Sequence, residues 1–100
     1  MFAYTVHCQH TDEKTHQAWC RWMLDEHLAD VCAAGALSAE LIVDGLRCET
    51  RYAFADRAAF ETYEREHAPR LREEGLARFP LSLGLSYSRT TGERMALVMK

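Results

Sequence analysis

The chain has 100 residues, 48% of them hydrophobic, with 12 basic and 15 acidic side chains and a net charge of −3. A domain of this size can bury its own hydrophobic core, so folding requires neither disulfides nor a structural metal. The acidic balance excludes a broad basic surface, which nucleic acids and anionic membranes both need. We therefore predict a single domain over residues 1–100, with no nucleic-acid partner and no membrane partner.

The sequence shows no signal for export or membrane insertion. The apolar segment 1–6 is too short for a signal peptide and is followed by polar residues. No apolar run approaches the ~20 residues that span a bilayer. We predict a cytoplasmic protein whose cysteines are reduced thiols without a CxxC pair, and we interpret them as small buried hydrophobic residues. They are Cys8, Cys20, Cys32 and Cys48.

The first third of the chain predicts a strand and then a helix. Apolar and polar residues alternate from Phe2 to Gln9, which is the period of a half-buried strand. Thr11 or Asp12 is suited to cap the N-terminus of a helix. Neither proline nor glycine follows before Gly35, where a C-terminal cap belongs, so we expect the helix to extend to about Ala34.

A β-hairpin is predicted next. Segments 37–43 and 46–54 each alternate between apolar and polar residues on either side of Asp44-Gly45. This dipeptide predicts a type I′ turn, in which both central residues need a positive φ.

The last part of the chain predicts a helix, a shorter helix and a strand. Asp56 is suited to cap a helix that Pro69 interrupts, and Pro69 is suited to begin a second helix that ends near Phe79. Alternation over 81–88 predicts a fourth strand. The tail, residues 91–100, is a candidate for a fifth strand after a turn at Thr91-Gly92.

The element order βαββαβ predicts an α+β, ferredoxin-like fold with a four-stranded antiparallel sheet and the helices on one face. The opposite face of the sheet would carry mostly small or polar side chains. Such a face either meets water or packs against the sheet of a second copy, and the rows of small residues favour a homodimer. The residues assigned to this face are Ala3, Thr5, His7, Gln9, Ser38, Glu40, Ile42, Glu49, Arg51, Ser82, Gly84, Ser86 and Ser88.

The segment His7–His27 contains four of the five histidines and two of the four cysteines. A tetrahedral zinc site needs three or four Cys, His or acidic ligands. His7 and His10 would project to opposite faces of the strand, and the adjacent helix would have to contribute His16 or Cys20 as well. We therefore predict no metal site, and we interpret His10 and His16 as solvent-facing.

His27 lies in the apolar arc of the first helix, together with Met23 and Leu24, whereas Trp22 lies away from the centre of that arc. A buried imidazole needs a hydrogen-bond partner, and burial favours its neutral form. His67 repeats this pattern on the second helix. Both histidines are candidates for a catalytic acid or base, and the alternative is a purely structural role for each.

Tyrosines from three strands would face the helices and surround a cavity that both histidines could share. The alternative is a filled core in which their hydroxyls find partners. The charged run from Glu64 to Glu74 is interpreted as a solvated helix face. The predicted ligand-binding residues are Tyr4, Met23, His27, Tyr52, Tyr63, His67 and Tyr87.

Several motifs together resemble a known family. They are Trp19-Cys20-Arg21-Trp22-Met23, His27-Leu28-Ala29-Asp30-Val31, Tyr63, the run from Glu66 to Glu74, and Phe79. This pattern, which covers the chain up to about Arg89, resembles a bacterial family of proteins of this length, a domain of unknown function in the dimeric α+β barrel superfamily. The resemblance implies a ferredoxin-like monomer that pairs sheet against sheet into a barrel. The family carries no assigned reaction, so it implies no catalytic residue.

Three functions remain open. The first is a homodimer that binds a small apolar or aromatic molecule between sheet and helices. The second is a cofactor-independent monooxygenase or isomerase that uses His27 or His67 as a base, by analogy with distant members of the superfamily. The third is a structural or assembly dimer without a ligand. We predict no cofactor, with haem as the alternative.

Overall fold

The computed structural model, which describes residues 1–100, contains four β-strands and four α-helices. The strands are β1 (Phe2–Gln9), β2 (Ser38–Asp44), β3 (Arg47–Phe54) and β4 (Ser86–Glu93). The helices are α1 (Glu13–Trp22), α2 (Leu28–Ala33), α3 (Arg57–Glu66) and α4 (Ala68–Arg78). A π-helical turn (Met23–His27) joins α1 to α2, and a 3₁₀ turn (Leu81–Leu83) precedes β4.

The strands form one antiparallel sheet in the order β2-β3-β1-β4, which is the ferredoxin-like topology that the sequence predicted. The helices lie on one face of this sheet. Cys8 on β1 lies opposite Cys48 on β3 and Tyr87 on β4, so these three side chains share the helix-facing side. No helix is both long and apolar enough to cross a membrane.

Both predicted N-terminal caps are present. The carboxylate of Asp12 accepts a hydrogen bond of 2.8 Å from the backbone N–H of Thr15, and that of Asp56 accepts one of the same length from Ala59. Each cap satisfies a backbone donor that has no partner within its helix. Pro69 lies in the first turn of α4, just after the break between α3 and α4.

The hydrophobic core consists of two clusters between sheet and helices. One contains the stacked rings of β1, β3 and α3, and the other surrounds the indoles of α1. In the first cluster, the rings of Tyr4 and Tyr52 lie 5.7 Å apart, and those of Tyr4 and Phe60 lie 5.0 Å apart. Aromatic contacts of this kind fix the position of the tyrosines relative to the helices.

The π-helical turn changes which residues of the first helical segment face the sheet. With about 100° per residue, Glu26 and Asp30 would share the face of Trp19 in a regular α-helix. The N–H of Leu28 instead bonds to the carbonyl of Met23, five residues earlier. The wider turn rotates the following residues, because it contains one more of them.

As a result, His27 faces the interior and Glu26 faces outward, where its carboxylate lies 2.9 Å from Arg78. Leu24, predicted to lie on the apolar arc, is 65% exposed, and Trp22, predicted to lie away from its centre, is buried. A helical wheel with a constant angle per residue misplaces both side chains.

The fourth strand begins later than predicted. Segment 81–83 forms a 3₁₀ turn, so its alternating leucines do not belong to the sheet, and neither do Ser82 and Gly84. The sequence Thr91-Gly92 continues β4 to Glu93 rather than forming a turn, and the remaining tail, residues 94–100, forms no fifth strand.

The hairpin has a different turn from the one predicted. Asp44 pairs with Arg47, so the central residues are Gly45 and Leu46. Gly45 alone has a positive φ, of 61°. A positive φ at the first central position alone is the pattern of a type II′ turn, so the prediction of type I′ was wrong.

Candidate ligand cavity

A cavity of about 370 Å³ lies between the helix-facing side of the sheet and the helices. Its wall is mostly hydrophobic and aromatic, with a few polar groups, as is typical of small-molecule sites. Six of the seven predicted ligand-binding residues line it: Tyr4, Met23, His27, Tyr52, Tyr63 and Tyr87.

Two arginines converge on the hydroxyl of Tyr4, whose oxygen accepts hydrogen bonds from Arg72 at 3.1 Å and from Arg89 at 3.2 Å. Arg72 also donates to a carboxylate oxygen of Glu64 at 2.5 Å, so its charge is neutralised within the protein. Arg89 has no carboxylate within 4 Å, and its guanidinium lies 5.6 Å from the centre of the Tyr87 ring. The cavity therefore has one end that carries an uncompensated positive charge.

His27 is a further polar residue in the wall of the cavity. Its ring stacks on the indole of Trp22 with a centroid distance of 4.6 Å, and its Nδ1 is buried without a hydrogen-bond partner. Burial lowers the pKa of His27, an effect that nearby Asp30 and Glu74 partly oppose. A neutral imidazole can accept a proton or a hydrogen bond from a molecule in the cavity.

The tyrosine hydroxyls in the wall are proton donors at neutral pH. Burial raises the pKa of Tyr52 and of Tyr63, and it raises that of Tyr87 to about 12. The indole N–H of Trp19 donates to the Tyr87 oxygen at 3.1 Å, and the Tyr87 hydroxyl in turn donates to the thiol of Cys8. The cavity can thus hold an oxygen-bearing ligand by hydrogen bonds as well as by its charged end.

His67 lies outside this cavity. It borders a depression on the outer surface together with Asp30, Arg70 and Glu74. The break between α3 and α4 turns it away from the stripe that Tyr63 and Leu71 form, so His27 and His67 do not share a site.

The arginines and the indoles of the cavity wall were not among the ligand-binding residues predicted from the sequence. Arg89 follows Tyr87 by two residues in β4 and therefore lies on the same face, but the predicted strand ended before it. Arg72 was hidden in a charged run that was interpreted as solvated. Trp22 was missed because the predicted apolar arc treated residues before and after the π-helical turn as one regular helix, whereas the buried face of α1 itself includes Trp19 and Trp22.

The prediction that His10 and His16 face solvent was wrong, since they are only 2% and 7% exposed. The backbone N–H of His10 bonds to the carbonyl of Leu46 at 2.9 Å, so strand pairing continues to this residue and keeps it on the face of Cys8. His16 lies on the inner side of α1. Its Nε2 is 3.2 Å from the Sγ of Cys48 and 3.4 Å from that of Cys20, so imidazole and thiol groups meet beneath α1.

Solved structures with the same fold include two dimeric ferredoxin-like proteins from an uncultured marine organism. One matches with a TM-score of 0.71 and 12% identity over 100% of both chains, and the other with 0.65 and 14% identity over 97% of both chains. A monooxygenase from Streptomyces coelicolor in complex with nanaomycin D matches with a TM-score of 0.66 and 16% identity over 98% of this chain and 92% of its own. At sequence identities this low, the similarity to these structures is a similarity of fold and does not extend to function.

A search of curated proteins finds no match for this chain. A family model, however, covers most of it, from residue 1 to residue 88, in agreement with the resemblance of the tryptophan and histidine motifs. The chain belongs to the family described as a domain of unknown function, DUF4286.

Proposed function

We propose that the protein is a homodimer that binds a small aromatic molecule with an anionic oxygen, a carboxylate or a phenolate, between sheet and helices. The observation that carries this proposal is the cavity of about 370 Å³, in which apolar walls meet one uncompensated arginine. The aromatic rings of the wall favour a flat apolar ligand, because such a ligand buries its surface against them.

The positive charge of Arg89 at one end of the cavity favours a ligand that carries an anionic group. Glu64 neutralises Arg72, whereas Arg89 donates only to the Tyr4 hydroxyl. A ligand carboxylate beside Arg89 would gain a charge-assisted hydrogen bond, which is about twice as strong as a neutral one. His27 lies in the wall of the same cavity and is placed to contact a second polar atom of the same ligand.

The free face of the sheet supports the dimer. Its residues are mostly small, and the guanidinium of Arg51 lies 2.7 Å from a carboxylate oxygen of Glu49 and 3.9 Å from one of Glu40. Paired charges lose less free energy on burial than isolated ones, so these ion pairs reduce the cost of packing this face against its own copy. Two proteins with this fold are themselves dimeric. We place the dimer in the cytoplasm, since all four cysteines are free.

A second candidate function is the oxidation of the bound molecule. The monooxygenase from Streptomyces coelicolor shares this fold, and His27 is a buried, neutral base in the cavity wall. In such a reaction His27 would take the proton of a bound phenol, and dioxygen would oxidise the ring to a quinone with release of water. This proposal assigns no cofactor to either function, and the absence of a Soret band after addition of haem would agree with it.

The binding proposal is tested by titration calorimetry with 2-naphthoate and with 2-naphthylmethanol, its uncharged counterpart. We expect the naphthoate to bind more tightly by at least about tenfold, since a hydrogen bond to a charged group contributes about 1.5–3 kcal/mol. The two tryptophans of the chain both line the cavity, so their fluorescence provides an independent readout of binding.

Arg89→Met should abolish the preference for naphthoate while the apolar part still binds. Arg57→Met is the matched control, because Arg57 is also exposed on the helix side but lies outside the cavity. Equal affinities of the wild type for both probes, or no binding of either, would reject the proposed ligand class.

A further inference from the structure

We propose that the protein binds one zinc ion through His16 and Cys20 of α1 and Cys48 of β3. The ligand atoms of these three side chains all lie within 4.8 Å of one another. The site would be separate from the ligand cavity, and it does not depend on the function proposed for that cavity.

The geometry of the three side chains fits zinc. Zinc binds thiolate at about 2.3 Å and imidazole at about 2.0 Å, so ligand atoms of a tetrahedral site lie roughly 3.5–3.8 Å apart. Nε2 of His16 lies 3.2 Å from Sγ of Cys48 and 3.4 Å from Sγ of Cys20. Small side-chain rotations therefore suffice to place one ion between the three atoms.

The three ligands come from rigid elements. His16 and Cys20 are four residues apart on α1, so they project from the same face of the helix. Cys48 lies in β3, with partners on both sides in the sheet. Ligands held by a helix and a central strand need little ordering when the metal binds, which favours affinity.

A second pair of ligand atoms adjoins the site. Cys8 lies directly opposite Cys48 in the sheet, and its Sγ is 3.4 Å from Nε2 of His10. The rings of His10 and His16 are 4.8 Å apart. One member of this pair, Cys8 or His10, would supply the fourth ligand of the four-coordinate shell that structural zinc sites have.

The test uses the full chain, reduced and freed of metal with a chelator, and titrated with Co²⁺. We expect one equivalent to produce thiolate-to-cobalt charge-transfer absorption and the intense visible bands of tetrahedral cobalt. Zn²⁺ should then remove both signals, since it displaces Co²⁺ from thiolate sites, and should raise the melting temperature because it binds only the folded protein.

Cys20→Ser and His16→Gln should each weaken metal binding by at least about tenfold, since each removes one of three protein ligands. The matched controls are Cys32→Ser and His7→Gln, which remove a cysteine and a histidine outside the cluster and should leave the affinity unchanged. Cys20 is only half-buried, so its serine variant keeps the test independent of core packing.

Two results would overturn the proposal. One is a folded, reduced wild-type chain at micromolar concentration that gives no cobalt–thiolate absorption with equimolar Co²⁺. The other is a Cys32→Ser variant that loses the signal as completely as Cys20→Ser does.

Discussion

His27 is the residue on which the proposed chemistry depends most. It faces the cavity because the π-helical turn moves Glu26 out of that position. It stacks on Trp22 and has a buried nitrogen without a partner. The imidazole lines the cavity and is therefore placed to contact a molecule bound there.

His27→Phe should abolish binding of 2-naphthoate or weaken it by at least about tenfold, because the ligand then loses a hydrogen bond in a desolvated site. Folding should be preserved, since a phenyl ring fills the same space and leaves no polar atom unpaired. Calorimetry and thermal unfolding measure the two effects separately.

His67→Phe is the control, because His67 lies outside the cavity and its replacement should change neither property. A large loss of thermal stability in His27→Phe, with no ligand bound by the wild type, would instead support a structural role for His27.

The folding stability should depend on pH through His27. Its pKa is lowered from the ordinary value of 6.5 in the folded state, so the unfolded chain binds more protons just below that pH. The free energy of unfolding should therefore fall as the pH falls through 6.5, and level off below the folded-state pKa.

Denaturant unfolding at neutral pH and at pH values below 6.5 measures this dependence. His27→Phe should lose less stability on acidification than the wild type does. The variant should still lose some stability on acidification, because burial also lowers the pKa of His10. Identical pH dependence in both proteins would show that His27 is not kept neutral by the fold.

At the scale of the elements, the sequence contained the signals for β1, β2, β3 and both helix caps. Strict alternation and capping residues are local features, so they predicted these elements well. The start of β4 was missed because the alternating leucines before it imitate a strand, although Leu81 and Leu83 lie in a 3₁₀ turn and are exposed.

The sequence predicted only those residues of the candidate site that follow from the alternation of apolar and polar residues along a strand. Tyr4, Tyr52 and Tyr87 face the helices because they occupy alternate strand positions. The burial of His10 and His16 depends on tertiary contacts between α1 and β3 that no local pattern encodes. The π-helical turn likewise has no signal in the periodicity.

The hairpin turn gives a test at this scale. Gly45 has a φ of 61°, which a β-branched residue adopts only with strain. Gly45→Val should lower the free energy of unfolding by about 1–2 kcal/mol. No atom lies near enough to clash with the new side chain, so the loss would report backbone strain alone.

Gly92→Val is the matched control, because Gly92 has no positive φ and no atom lies near enough to clash with a new side chain there, and it should retain most of the stability. Denaturant unfolding compares the three proteins. If the two variants lost the same amount, the positive φ would not be the cause.

At the scale of the whole molecule, one face of the sheet is covered by helices and the other is free. The free face carries small residues on its central strand β1 and on the edge strand β4, including Ala3, Thr5, Ser88 and Thr90. Packing of this face against a second copy would bury it and complete a barrel.

Thr5→Glu should convert the dimer into a monomer, because it places a carboxylate on the central strand of each facing sheet, where neither charge is solvated. Light scattering at micromolar concentration measures the change. Thr62→Glu introduces the same charge on the exposed side of α3 and should remain dimeric. A monomeric wild type under these conditions would refute the barrel.

The proposed function requires that the cavity between sheet and helices hold an anionic aromatic molecule. The most direct measurement is a crystal structure of the protein with 2-naphthoate. We expect the rings to lie between Trp22 and Tyr63 and the carboxylate to lie within hydrogen-bond distance of Arg89. A cavity closed by mutual contacts of its tyrosines and His27, with the naphthoate elsewhere or not bound, would contradict it.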